Sequence, residues 1–232
     1  MRLSIIAAVV AMLVPAPASA QSSMGGTPET GSLIKRRAAQ INGTTAADAR
    51  RTTRDFGVCV LKYYPKHGER LAVEPVHTAE YAKLAKRVID ANCLSDGVLR
   101  LPANVIRSAI IEALYSNRFG RTGPTDFSGV AAIDYLAGYP ADLPSAARTV
   151  VALASFGDCV SRKDAANARG LVVSIPGSFT ESERLRALSP SFNSCVVKGE
   201  KLTFSRSIIR GAVAEGLLRL SQAVRQSQAG SN

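Results

Sequence analysis

The feature that most restricts how this chain can fold is a short sequence that occurs twice. Residues 56–60 read FGVCV and residues 156–160 read FGDCV. The similarity continues in both directions of detail. Leu71-Ala72-Val73 recurs as Leu171-Val172-Val173, and a second cysteine follows the first in each block, Cys59 then Cys93, and Cys159 then Cys195. Further on, IRSAIIEAL at 106–114 aligns with IRGAVAEGL at 209–217, with isoleucine, arginine, alanine, glutamate and leucine shared. Several landmarks kept in one order are what duplication of a structural unit leaves behind.

Each block reads as three helical pieces, so the expected fold is all-α: two tandem pseudo-symmetric three-helix repeats. The first piece places Phe56, Cys59, Val60 and Tyr63 at i, i+3, i+4 and i+7, and Leu153, Phe156, Gly157 and Val160 repeat that spacing. A glycine within a helix costs about 1 kcal/mol relative to alanine. Its presence at both Gly57 and Gly157 predicts another backbone passing close by. The second piece starts at the N-cap Thr78 and places Tyr81, Leu84, Ala85 and Val88 on one apolar face. Its counterpart begins near Thr180 and is cut short by Pro190. The third piece follows short extended stretches (Leu99-Arg100-Leu101 and Leu202-Thr203-Phe204). Its apolar residues, Val105, Ile106, Ala109, Ile110, Ala113 and Leu114, cover about half the helix circumference, which suits the centre of a core.

The expected organisation is a signal peptide over 1–20, a flexible leader over 21–44, repeat 1 over 45–119, a connector over 120–142 with a short helix at Val130–Leu136, repeat 2 over 143–222 and a disordered tail over 223–232. The signal reading rests on Arg2, the twelve-residue apolar run Leu3–Val14, and Ala18-Ser19-Ala20 as a small-x-small cleavage site. The apolar run is too short for a spanning helix. The chain is therefore expected to be periplasmic or secreted, and not integral to the membrane after cleavage.

Four cysteines in an exported chain imply disulfides, and four allow three pairings. If each block once folded alone, the bridge lies within the block, giving Cys59–Cys93 and Cys159–Cys195. A metal site is disfavoured because the cysteines lack the close ligand pairs that such sites use. The other polar residues common to both blocks are Arg107/Arg210 and Glu112/Glu215. A spacing of five separates them by about 140° around a helix, too far for an intrahelical pair. They flank the apolar stripe, and two copies about an approximate two-fold axis could exchange them, Arg107 with Glu215 and Arg210 with Glu112.

Removing Arg2 from the 29 basic residues leaves 28 against 18 acidic, a formal charge of +10. The excess is spread evenly over both blocks, the chain has no tryptophan, and no aromatic–basic alternation offers a stacking platform. Nucleic acid is not the expected partner; an envelope protein or anionic polymer is. Catalytic signatures such as HExxH, GxSxG, CxxC and the Walker A motif are absent. SxxK at 32–35 and SxN at 191–193 do not form the spaced set that serine acyl-enzymes use. The acidic Glu181 and Glu183 fall in the opening turn of a helix, where the dipole favours them. The only histidines are His67 and His77, both in expected loops of the first block and unmatched in the second. The expected role is a non-catalytic, cofactor-free and metal-free binding or interaction module. The alternative is a small envelope hydrolase using His67 or His77 with a nearby carboxylate.

The string FGDCV…RGLV…PSFNSCV…LTFSRSIIRGAVAEGLL resembles a group of small exported bacterial proteins with paired FGxC…C…IRGxxAE-type blocks, for which no activity is known. The resemblance covers roughly residues 50–120 and 145–222. It implies export and duplication, and implies nothing about substrate.

Overall fold

A computed structural model describes residues 45–89, 93, 102–196 and 204–230. The expected signal peptide, leader and both short extended stretches lie wholly or almost wholly outside these residues. Among the described residues there are nine α-helices and no strand.

Helix α1 (Ala46–Tyr63) begins at a capping box. The Asp48 amide donates to Thr45 Oγ1, and the Thr45 amide donates to Asp48 Oδ2. The helix ends because Pro65 disfavours helical geometry at Tyr64 and supplies no N–H of its own. Tyr64 takes φ −134° and ψ 51°, and α2 (Pro65–Val73) starts with proline in its first turn. In the second block α5 (Ser145–Lys163) breaks at the corresponding place. There Asp164 caps α6 (Ala165–Val173) by accepting from the Asn167 amide. This break gives each block one helix more than the three expected pieces, and a further short helix near Pro190 brings the second block to five. Tyr63, expected on the buried face, lies just before the break and is 62 % exposed.

The turn after α2 closes on Thr78, whose Oγ1 accepts from the Tyr81 amide at the start of α3 (Ala79–Ile89). After α6 the cap is Ser178, two residues earlier than expected, and α7 (Phe179–Ala187) follows. His77 and Gly177 occupy the same step of the two turns, with φ 69° and 80°. Pro190 does not simply truncate this helix; it sits in the first turn of a separate α8 (Ser189–Cys195).

The long helices α4 (Ala103–Arg118) and α9 (Arg206–Gly230) form the centre. α4 packs on α1, α9 packs on α5 and α6, and the two pack on each other. One continuous apolar cluster runs through both blocks, including Val60, Leu71, Ile110, Val160, Leu171 and Leu217. Both expected close approaches occur. A Cβ on Gly57 would strike the Ala109 carbonyl of α4, and one on Gly157 would strike the Ala212 carbonyl of α9. The bridges Cys59–Cys93 and Cys159–Cys195 are formed, with Cα atoms 5.6 and 5.8 Å apart.

Two further expectations are corrected. Val130–Leu136 is not helical. Arg162 draws the carbonyls of Phe127, Val130 and Ala131 to itself, and Asp134 Oδ1 accepts from the Leu136 amide; both compete with helical bonding. The tail from 223 is helical through Gly230 rather than disordered. Its residues are mostly good helix formers, and Arg225 lies over the Phe119 ring, 4.2 Å from its centroid, while donating to the Arg118 carbonyl.

Candidate functional site

Where α4 crosses α9, Ser108 packs against Gly211, its own counterpart in the other block; a Cβ on Gly211 would lie 2.5 Å from Ser108 Oγ. Small residues at this point let the two stripes approach closely. The charges on either side of the crossing then meet reciprocally. Arg107 Nη1 and Nη2 donate to the Glu215 carboxylate, both at 2.6 Å. Arg210 Nε and Nη2 donate to Glu112, both at 2.8 Å. All four side chains are buried.

The two pairs share a geometry but differ in their surroundings. Arg210 presents its side edge to Glu112, which frees the rest of its guanidinium. It donates further to the carbonyls of Leu171, Val172 and Ser174 and to Ser174 Oγ. These groups form the C-terminal end of α6, so the cation also meets the negative pole of that helix. Arg107 presents its outer edge to Glu215, and its Nε has no acceptor among the described residues. Burial pulls the Arg107 guanidinium toward its neutral form, but the Glu215 carboxylate outweighs this, and the net displacement is upward. The group stays charged.

Around these pairs lies a wider network that the sequence reading missed. Glu181, read as a helix-start residue, is fully buried. Its carboxylate accepts from the Gly177 amide at 2.7 Å and from Arg50 Nη2 at 3.3 Å, and lies 3.6 Å from Arg210. The signal was present: SFTE at 178–181 is a capping-box pattern, whose glutamate folds back over the helix start. Arg54 adds a second partner to Glu112 at 3.4 Å, and Arg219 a second to Glu215 at 3.7 Å. Arg206 reaches Glu181 at 3.9 Å. Three buried glutamates are therefore shared by six arginines.

The network floors a cleft of about 60 Å³ between α1, α4, α5 and α9. Arg50, Arg54 and Arg107 line it together with Val105, Leu153 and Ile208. The floor is buried and the rim half-buried. Neither histidine is part of it. His67 Nε2 lies 3.3 Å from Arg87, and His77 is exposed in a left-handed turn. Among the described residues no carboxylate forms an ion pair with either ring, and no group of three His, Cys, Asp or Glu is disposed to hold a metal ion. Also among them, no helix is long and apolar enough to cross a membrane. No family model matches the chain, and neither a curated protein nor a solved structure matches it.

Proposed function

We propose that this chain is an exported, non-catalytic binding module of the cell envelope, made by duplication of one disulfide-bridged helical unit. The observation that carries the reading is the reciprocal crossing of α4 and α9. Residue 107 meets 215 while 210 meets 112, and 108 meets 211, which is the pattern of an isologous contact between two copies. Two disulfides fit an oxidising compartment. The crossing and the bridges hold a cleft whose walls come from both blocks, and a preformed concave surface where polar groups converge beside apolar walls is the usual form of a ligand site.

The test takes the oxidised protein purified from the envelope fraction. It is assayed against ester, amide and glycoside substrates, and passed over an anionic resin across a salt gradient. The module reading expects no turnover above buffer, and retention on the resin that falls with salt if an anionic polymer is the partner. Turnover that His67→Ala or His77→Ala abolishes would refute it in favour of the hydrolase. Recovery only from the cytoplasmic fraction, with all four thiols reduced, would refute export.

A further inference from the structure

We infer that the cleft between α1, α4, α5 and α9 is a binding site for a small organic carboxylate, with the anion between Arg54 at the rim and Arg107 on the floor and an apolar body against Val105, Leu153 and Ile208. The inference rests on the binding-module reading and adds the ligand class. Its first support is charge. Arg50, Arg54, Arg107 and Arg210 line the cleft with Glu112 and Glu215, an excess of two positive charges that the buried Glu181 beside Arg50 and Arg210 offsets in part. A desolvated cation excess favours the entry of an anion.

The second support is geometric. Arg50 and Arg107 both line the cleft, and the buried Nε of each has no acceptor among the described residues. A buried donor left without an acceptor is unfavourable, so an anion that draws either guanidinium toward the cleft gains a hydrogen bond that the empty site lacks. The third is the pairing of this floor with walls of Val105, Leu153 and Ile208. Inorganic phosphate would set several oxygens against hydrocarbon. A carboxylate on a short alkyl chain gives each wall its own kind of partner. A cavity of about 60 Å³ limits the ligand to a few non-hydrogen atoms.

The test uses the full oxidised chain, titrated by NMR with acetate, butyrate and inorganic phosphate at constant ionic strength. Saturable butyrate binding is expected with a Kd on the order of 1 mM, within reach of a ligand of about six non-hydrogen atoms. Acetate is expected to bind about ten-fold more weakly, because it lacks the methylenes that meet the walls. Arg54→Gln, at the half-exposed rim, should weaken butyrate about ten-fold, and Leu153→Trp should block it; both sites are partly exposed, so folding is retained and checked by circular dichroism. Absence of saturable butyrate binding to the folded protein would overturn the proposal. So would phosphate binding as tightly as butyrate, or butyrate binding that neither variant alters. None of these outcomes touches the non-catalytic reading, which falls only to histidine-dependent turnover or failed export.

Discussion

The two buried ion pairs look equivalent on a list of contacts, yet their surroundings predict unequal responses to the same change. Consider Glu215→Gln and Glu112→Gln, each nearly isosteric. Either substitution removes one negative charge and turns one accepting oxygen into a donating amide. For Glu215→Gln the guanidinium left behind is Arg107, whose other nitrogen, Nε, has no acceptor. The cation is then buried with no compensating charge in contact, and losing one partner of such a pair costs about 3–5 kcal/mol. For Glu112→Gln the guanidinium left behind is Arg210. It keeps three carbonyls of the α6 end and Ser174 Oγ, and Glu181 still lies 3.6 Å away. The loss should then be nearer that of charge-assisted hydrogen bonds, about 1.5–3 kcal/mol.

Urea unfolding measures the difference. With a slope of about 2 kcal/mol per molar for a domain of this size, the midpoint should fall by roughly 1.5–2.5 M for Glu215→Gln and by about 1 M for Glu112→Gln. The slopes should not change. The double replacement Arg107→Met/Glu215→Leu removes both charges together and should recover most of the loss, because a matched apolar pair avoids the desolvation of two ions. If Glu112→Gln proves as damaging as Glu215→Gln, the α6 carbonyls do not act as substitute acceptors and the reasoning fails.

Gly57→Ala and Gly157→Ala should each destabilise the fold by about 2 kcal/mol or more, since each new methyl meets a backbone carbonyl of α4 or α9 that cannot rotate away, whereas Gly129→Ala, with open space around it, should be neutral in the same thermal melt. Non-reducing peptide mapping should recover Cys59–Cys93 and Cys159–Cys195 as separate pairs; opening either loop, of 34 or 36 residues, through Cys93→Ser or Cys195→Ser should lower stability by about 4 kcal/mol, and a variant that melts like the parent would refute this. Burial raises Tyr115 to about 12 and also displaces Tyr81, Tyr135 and Tyr139 upward. Between an ordinary tyrosine value near 10 and these raised values the unfolded chain has lost protons that the folded chain retains, so stability should fall as pH rises through that window. Phenolate absorbance and loss of helical circular dichroism should then rise together above about pH 10; ionisation of these four rings in a fully folded protein would contradict their burial.

Much of the scaffold is legible in the residues because its causes are local or repeated. The 3.6-residue spacing of Tyr81, Leu84, Ala85 and Val88 marks the buried face of α3 without reference to any other helix. Gly57 and Gly157 announce a close neighbour because only close contact justifies glycine there. The bridges follow once the two blocks are compared. What escaped has causes that lie across space. Pro65 and Asp164 break the first helix of each block through unrelated chemistry, so comparison of the blocks does not reveal a common breakpoint. Val130–Leu136 has adequate helical composition, and it is a distant side chain, Arg162, that takes its carbonyls. Glu181 carries a local capping signal, yet its burial depends on Arg50 and Arg210 arriving from α1 and α9.

The cleft owes its character to the places where the blocks differ. Where the second block has Glu181, the same step of the first block has Tyr81, whose hydroxyl donates to the Ala103 carbonyl at 2.7 Å. Ser174, which receives Arg210, stands opposite Glu74, which accepts instead from Thr78 Oγ1. With these replacements the second block fully engages its arginine, and the first leaves Arg107 with one partner and an unused donor. Two perfect copies would have satisfied both guanidiniums or neither. The reciprocal pairs therefore tie α4 to α9, while the unequal surroundings leave Arg107, which lines the cleft, with the unused donor.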